Sequence, residues 1–145
     1  MTKLLTSLKT QQVKNKIPIV DLASQYKTIQ NEIEKEVLEV LSSGQYILGK
    51  KVKSFEDELA KYLDCKHVIS CASGTDALTL SLMSLGVKTG DEVITGSHSF
   101  FATSLAIALV GAKPVFVDIK EDDFNIDPSK IKNAITKKTK AIIPV

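Results

Sequence analysis

Apolar residues Tyr26, Ile29, Ile33, Val37 and Leu41 recur in steps of three and four, the spacing that gathers side chains on one face of an α-helix. Asp21 stands where it can cap that helix. Ser43-Gly44 stands where it should end, because glycine accepts the left-handed conformation common just past a helix terminus. Ile17-Pro18-Ile19-Val20 reads as an extended lead-in, and Gly44-Gln45-Tyr46-Ile47-Leu48-Gly49 as a loop carrying an exposed aromatic residue. A second helix is predicted beyond it, with Val52, Phe55, Leu59 and Tyr62 or Leu63 on one face and Lys and Glu elsewhere.

From residue 67 the pattern changes to short apolar runs alternating with helical segments. Strands are predicted at 67–71, 92–95, 114–118 and 140–145, and helices at 76–85, 102–110 and 128–136. The runs are continuously apolar, which suits strands covered on both faces, and Gly86, Gly90 and Gly111 punctuate the connections. The expected fold is α/β, three-layered, with a mainly parallel sheet.

Composition changes this picture little. The chain has 145 residues, 43% hydrophobic and 25% charged, which is ordinary for a globular domain. No apolar run approaches the roughly 18 residues of a membrane-crossing helix, and no secretory signal pattern opens the chain, so a cytoplasmic protein with no membrane association is expected. Cys65 and Cys71 are too few for a disulfide framework and match no common metal spacing; they are read as reduced, with no metal site. The net charge of +2 comes from Lys3, Lys9, Lys14 and Lys16, in an opening stretch without acids. Residues 1–16 therefore read as a flexible basic tail and 17–145 as the folded part. A tail is not the basic stripe a nucleic-acid binder carries, so nucleic acid is set aside. Every basic residue is a lysine, which removes the guanidinium fork as a means of gripping anions.

Candidate chemistry lies at Cys71-Ala72-Ser73-Gly74-Thr75-Asp76, between an apolar run and a helix. The first turn of a helix has unpartnered N–H groups and partial positive charge, and both favour an anion such as phosphate. Gly74 would let the backbone approach closely, and the Thr75 hydroxyl would add a hydrogen bond. Ser73 reads equally as a plain helix cap, and Asp76 is accounted for as a first-turn acid. In parallel sheets ligands lie beyond the carboxyl ends of the strands, where this turn falls. The next such end carries Gly96-Ser97-His98-Ser99-Phe100-Phe101. Phe101 is assigned to the core; Phe100 is free to lie against a flat heteroaromatic ring. A phosphate turn and a ring platform on successive strands describe a phosphorylated aromatic cofactor. His98 is read as a loop residue or a phosphate or sugar contact ahead of a general base, and His67 as a strand residue.

With these pieces in order, the chain resembles the N-terminal part of the DegT/DnrJ/EryC1/StrS family of pyridoxal-phosphate-dependent sugar aminotransferases. The resemblance runs from Ile17 onward. It rests on Ile17-Pro18, Gly44-Gln45-Tyr46-Ile47-Leu48-Gly49, Phe55-Glu56, Ser73-Gly74-Thr75-Asp76-Ala77-Leu78, Gly90-Asp91-Glu92-Val93-Ile94, Phe100 to Thr103, Pro114-Val115-Phe116-Val117-Asp118, Asn125-Ile126-Asp127-Pro128 and the closing Thr139-Lys140-Ala141-Ile142-Ile143-Pro144-Val145. It implies an incomplete fold-type I large domain in which Gly74 and Thr75 hold the cofactor phosphate and Phe100 stacks on the pyridine ring. It also implies that Gln45 and Tyr46 contact substrate, although the same loop reads as a plain helix-to-helix connection. Ala72, Gly96 and His98 depart from residues frequent in the family.

The implied activity is transfer of an amino group from glutamate or a similar donor to a nucleotide-linked keto-sugar, in amino-sugar and cell-surface polysaccharide synthesis, by a homodimer. The Schiff-base lysine and the carboxylate at the pyridinium nitrogen lie, in the family, downstream of the segment ending like Ile143-Pro144-Val145, so no catalytic residue is assigned here. An N-terminal fragment, inactive alone, is the expectation. The alternatives are a sugar dehydratase of the same family and a non-catalytic module that binds a phosphorylated ligand.

Overall fold

A computed structural model describes residues 18–145; the predicted tail, and Ile17 after it, lie outside the described residues. The chain divides into two compact units, the first ending at Lys66 and the second beginning at His67.

The first unit is built on two helices. Helix α1 (Leu22–Ser43) starts where predicted: the Asp21 carboxylate accepts from the Ser24 N–H at 3.0 Å and the Ser24 hydroxyl at 2.7 Å. Those bonds, the hydroxyl first, hold the Asp21 carboxyl below its ordinary range. Gly44 closes the helix at φ 66°, its N–H returning to the Leu41 carbonyl. The apolar stripe from Tyr26 to Leu41 is laid out as read, yet between 37% and 55% of each of its residues is exposed. Helix α2 (Lys50–Tyr62) follows Gly49, where a Cβ would stand 2.6 Å from the Gln45 carbonyl oxygen, so the loop requires glycine there. Lys51 ties the two helices together through Glu36 and, at 2.8 Å, Glu39.

The second unit runs α3 (Gly74–Ser84), β1 (Glu92–Gly96), α4 (Ala102–Leu109), β2 (Lys113–Val117), α5 (Pro128–Ala134) and β3 (Thr139–Ile143). The strands are parallel in the order β2-β1-β3. Val93 and Ile94, both wholly buried, point to opposite faces of the sheet and organise two cores. Leu82, Ala106 and Ile107 of α3 and α4 pack with Val93. Val117, Ile126 and, from α5, Ile131 and Ala134 pack with Ile94. Burying each such isoleucine or valine contributes about 1.5–3 kcal/mol. The placement of α4 and α5 on opposite faces follows from crossover handedness. The chain steps from β1 to β2 in one direction and from β2 past β1 to β3 in the other, and right-handed connections then fall on alternate faces.

Three expectations are corrected. Residues 67–71 form no strand: both edges of β1 are taken by β2 and β3, no other described strand lies alongside this run, and Ile69 is 83% exposed. Cover on both faces holds for β1 alone, since Phe116 of β2 and Ile142 of β3 are exposed. Phe101 is not core; it sits ahead of α4 with its ring 67% exposed.

Candidate cofactor site

Helix α3 enters β1 at that strand's amino end, so its own first turn lies at the carboxyl edge of the sheet, the edge from which the 97–101 loop departs. Gly74, Thr75 and Phe100 are therefore brought to one edge of one unit.

The turn is a serine cap that leaves two backbone donors open. The Ser73 hydroxyl oxygen accepts from the Asp76 N–H at 3.1 Å and donates to Asp76 Oδ2 at 2.9 Å, while the Ser73 carbonyl accepts from the Ala77 N–H at 2.9 Å. The cap thus uses the third N–H of the helix. The N–H groups of Gly74 and Thr75 meet no acceptor among the described residues, and two adjacent donors at a positive helix end are what an anion takes up. Nothing in the fold demands glycine at 74: its φ is not left-handed, and a Cβ there would meet nothing within 4 Å. The open space beside that backbone fits a ligand's approach from outside. Leu78 and Leu82, one and two turns on, pack into the core and hold the helix in place.

Phe100 is 81% exposed, and its carbonyl accepts the Thr103 N–H at 3.2 Å, which pins the residue to the start of α4. Its ring is a free face at the edge where the open N–H groups of Gly74 and Thr75 lie. Across the edge, after β2, residues 118–127 form a small turn closed by an antiparallel bridge between Ile119 and Ile126. Asp118 there accepts from Lys130 Nζ at 3.1 Å, and that bond foremost holds its carboxyl below the ordinary range.

Gln45 and Tyr46 belong to the first unit, where they line a cleft of about 270 Å³ with Glu39, Ser43 and Lys51. The Tyr46 hydroxyl donates to the Leu41 carbonyl at 3.1 Å and the Gln45 N–H to Ser43 Oγ at 3.1 Å, so this loop is also held from within. Phe124, in the turn after β2, drew no notice in the sequence although it is the lone aromatic in an acidic run. It makes the one aromatic ring pair among the described residues, with His98.

The model of the DegT/DnrJ/EryC1/StrS aminotransferase family matches residues 27–145. A Pseudomonas aeruginosa UDP-2-acetamido-2-deoxy-3-oxo-D-glucuronate aminotransferase is 50% identical over 129 residues, 89% of this chain and 36% of the relative. A Geobacillus stearothermophilus protein named a pleiotropic regulatory protein is also 50% identical over 129 residues, 89% of this chain and 35% of the relative. Among solved structures, Bacillus subtilis NtdA with bound cofactor PMP superposes with a TM-score of 0.84 at 39% identity, covering 89% of this chain and 30% of that one. The parallel sheet with helices on both faces is part of a fold-type I pyridoxal-phosphate-dependent transferase domain. The chain belongs to the DegT/DnrJ/EryC1/StrS aminotransferase family, and spans about a third of the length of the curated relatives it matches.

Proposed function

We propose that this chain supplies the phosphate cradle and ring platform of a pyridoxal-phosphate-dependent aminotransferase that moves an amino group from glutamate or a similar donor to a nucleotide-linked keto-sugar. The observation that carries the reading is the pair of open N–H donors of Gly74 and Thr75 at the edge where Phe100 presents its ring. Pyridoxal phosphate, when bound, supplies the electron sink on which amino transfer depends. The Gly74 and Thr75 amides and the Thr75 hydroxyl would hold its phosphate, and the face of Phe100 would orient its ring. Ser73 satisfies Asp76 within the turn, so the acid has a partner of its own beside the anion. Gln45 and Tyr46 are assigned to substrate contact, in a cytoplasmic homodimer serving amino-sugar and polysaccharide synthesis.

The test uses the protein at the full length of its relatives. Pyridoxal phosphate should bind and give a visible absorption band that shifts on adding glutamate, with amine appearing on a nucleotide-linked keto-sugar. Thr75→Ala and Phe100→Ala should each weaken uptake about tenfold, in keeping with a lost hydrogen bond to a charged group and a lost ring contact. Uptake followed by sugar dehydration would assign the dehydratase reading. Absence of both band and transfer would sink the enzyme reading and favour the regulatory role in the name of the Geobacillus relative.

A further inference from the structure

The loop after β1 leads to α4 on one face of the sheet and the turn after β2 leads to α5 on the other, so a crevice opens between them at the carboxyl edge. Hydrogen bonds hold both of its walls. On one, Ser97 donates its N–H to the Val117 carbonyl at 3.3 Å, Ser99 Oγ lies 3.5 Å from Thr103 Oγ1, and the Phe100 carbonyl accepts the Thr103 N–H at 3.2 Å. On the other, Lys120 donates its N–H to the Asn125 carbonyl at 2.9 Å, its ammonium pairs with Asp123, and the Phe124 N–H returns to the Lys120 carbonyl at 3.1 Å. That turn holds Phe124 at φ 58°, a left-handed conformation uncommon for a bulky residue. The ring so presented lies 6.0 Å, centroid to centroid, from the His98 imidazole at a tilt of 41°, within the range of favourable aromatic pairs.

We propose that His98 and Phe124 form a strut across this crevice that sets the loop carrying Phe100, making both of them positioning residues for the ring platform. The link to the platform rests on the reading of Phe100 given above; the strut itself does not. His98 acts here as a flat ring and not through its nitrogens, which separates this role from a proton-transfer one. His98→Phe should therefore preserve it and His98→Ala should not.

The experiment follows amide hydrogen exchange at Ser97 and Thr103, both hydrogen-bonded, in the full-length protein without cofactor, and then the affinity for pyridoxal phosphate. His98→Ala and Phe124→Ala should each speed exchange about fivefold and weaken uptake to a similar degree, as loss of an aromatic pair implies. The double variant should be no worse than either single one, and His98→Phe should behave as wild type. Additive single effects, no effect on exchange, or a His98→Phe variant as impaired as His98→Ala would overturn the strut. If the exchange pattern holds while wild type takes up no pyridoxal phosphate, the strut stands and the cofactor reading is the one that fails.

Discussion

Replacing Ser73 by alanine separates the two jobs of the α3 turn. The change removes the acceptor for the Asp76 N–H, at 3.1 Å, and the donor to Asp76 Oδ2, at 2.9 Å. Loss of a serine cap costs typically about 1 kcal/mol, roughly a fivefold shift in the folding equilibrium. The exposed hydroxyl-to-carboxylate bond adds little, because water replaces it. The Gly74 and Thr75 N–H groups are untouched by this change, so affinity for pyridoxal phosphate should stay within about twofold of wild type. Thr75→Ala should do the reverse, since it leaves the cap intact and removes the hydroxyl proposed to hold the phosphate. Its stability should hold, alanine being the better helix former, while affinity falls. Urea unfolding of the cofactor-free full-length protein reads the first quantity and a fluorescence titration with pyridoxal phosphate the second. If Ser73→Ala weakened the cofactor as much as Thr75→Ala does, the division of labour argued here would be wrong.

Gly111 has φ 78°, and a Cβ there would stand 2.4 Å from Thr89 Oγ1. Gly111→Ala should therefore destabilise by about 1–2 kcal/mol for the left-handed backbone plus a further 1–3 for the overlap. Thr89→Ala should relieve the second part only, so in thermal melts the glycine change should cost less in the Thr89→Ala background; equal costs in both backgrounds would refute it. Asp123 is held down to about 2 by its ion pair with Lys120 and the Asn125 N–H. A folded pKa below the ordinary value means its contribution to stability is complete above about pH 4 and is lost as pH falls through about 2. A carboxyl titration followed by NMR should place its midpoint near 2, and Lys120→Gln should move that midpoint up; a midpoint at the ordinary 3.8 would refute the pairing.

Periodicity located every helix and every strand of the sheet to within a few residues, because those elements bury one face or two and their spacing records it. It failed where burial depends on neighbours. The run 67–71 is as apolar as β1, but a strand exists only with a ladder partner, and among the described residues this run lies against neither of the open edges of β2 and β3. Phe101 carries the same composition signal as a core aromatic, yet it falls at the mouth of α4, where the backbone turns its ring outward. At the candidate site the Ser-Gly-Thr turn was legible as chemistry but ambiguous as a role, since a capping serine and a cradling serine have the same sequence. The hydrogen bonds show the cap, with the Asp76 N–H taken by Ser73, and the cradle is a matter for the binding experiment. Phe124 was invisible for a different reason: its pairing with His98 joins two loops, and loops carry no period.

The position of β3 has a consequence for how the sheet is assembled. Thr95, wholly buried, donates its hydroxyl to the Ile143 carbonyl at 2.9 Å, 48 positions along the chain. The β1–β2 pairing, from Glu92 with Lys113 to Gly96 with Val117, spans less than half that distance. Each doubling of the loop to be closed costs about 0.6 kcal/mol more, so the parallel β1–β2 pair, joined through α4, is the cheaper union and β3 is the later, dearer one. Until β3 arrives, the second edge of β1 and the Thr95 hydroxyl are satisfied by water. Its docking converts a hydrated polar edge into the interior of the sheet, and so makes the last strand the one that seals the centre.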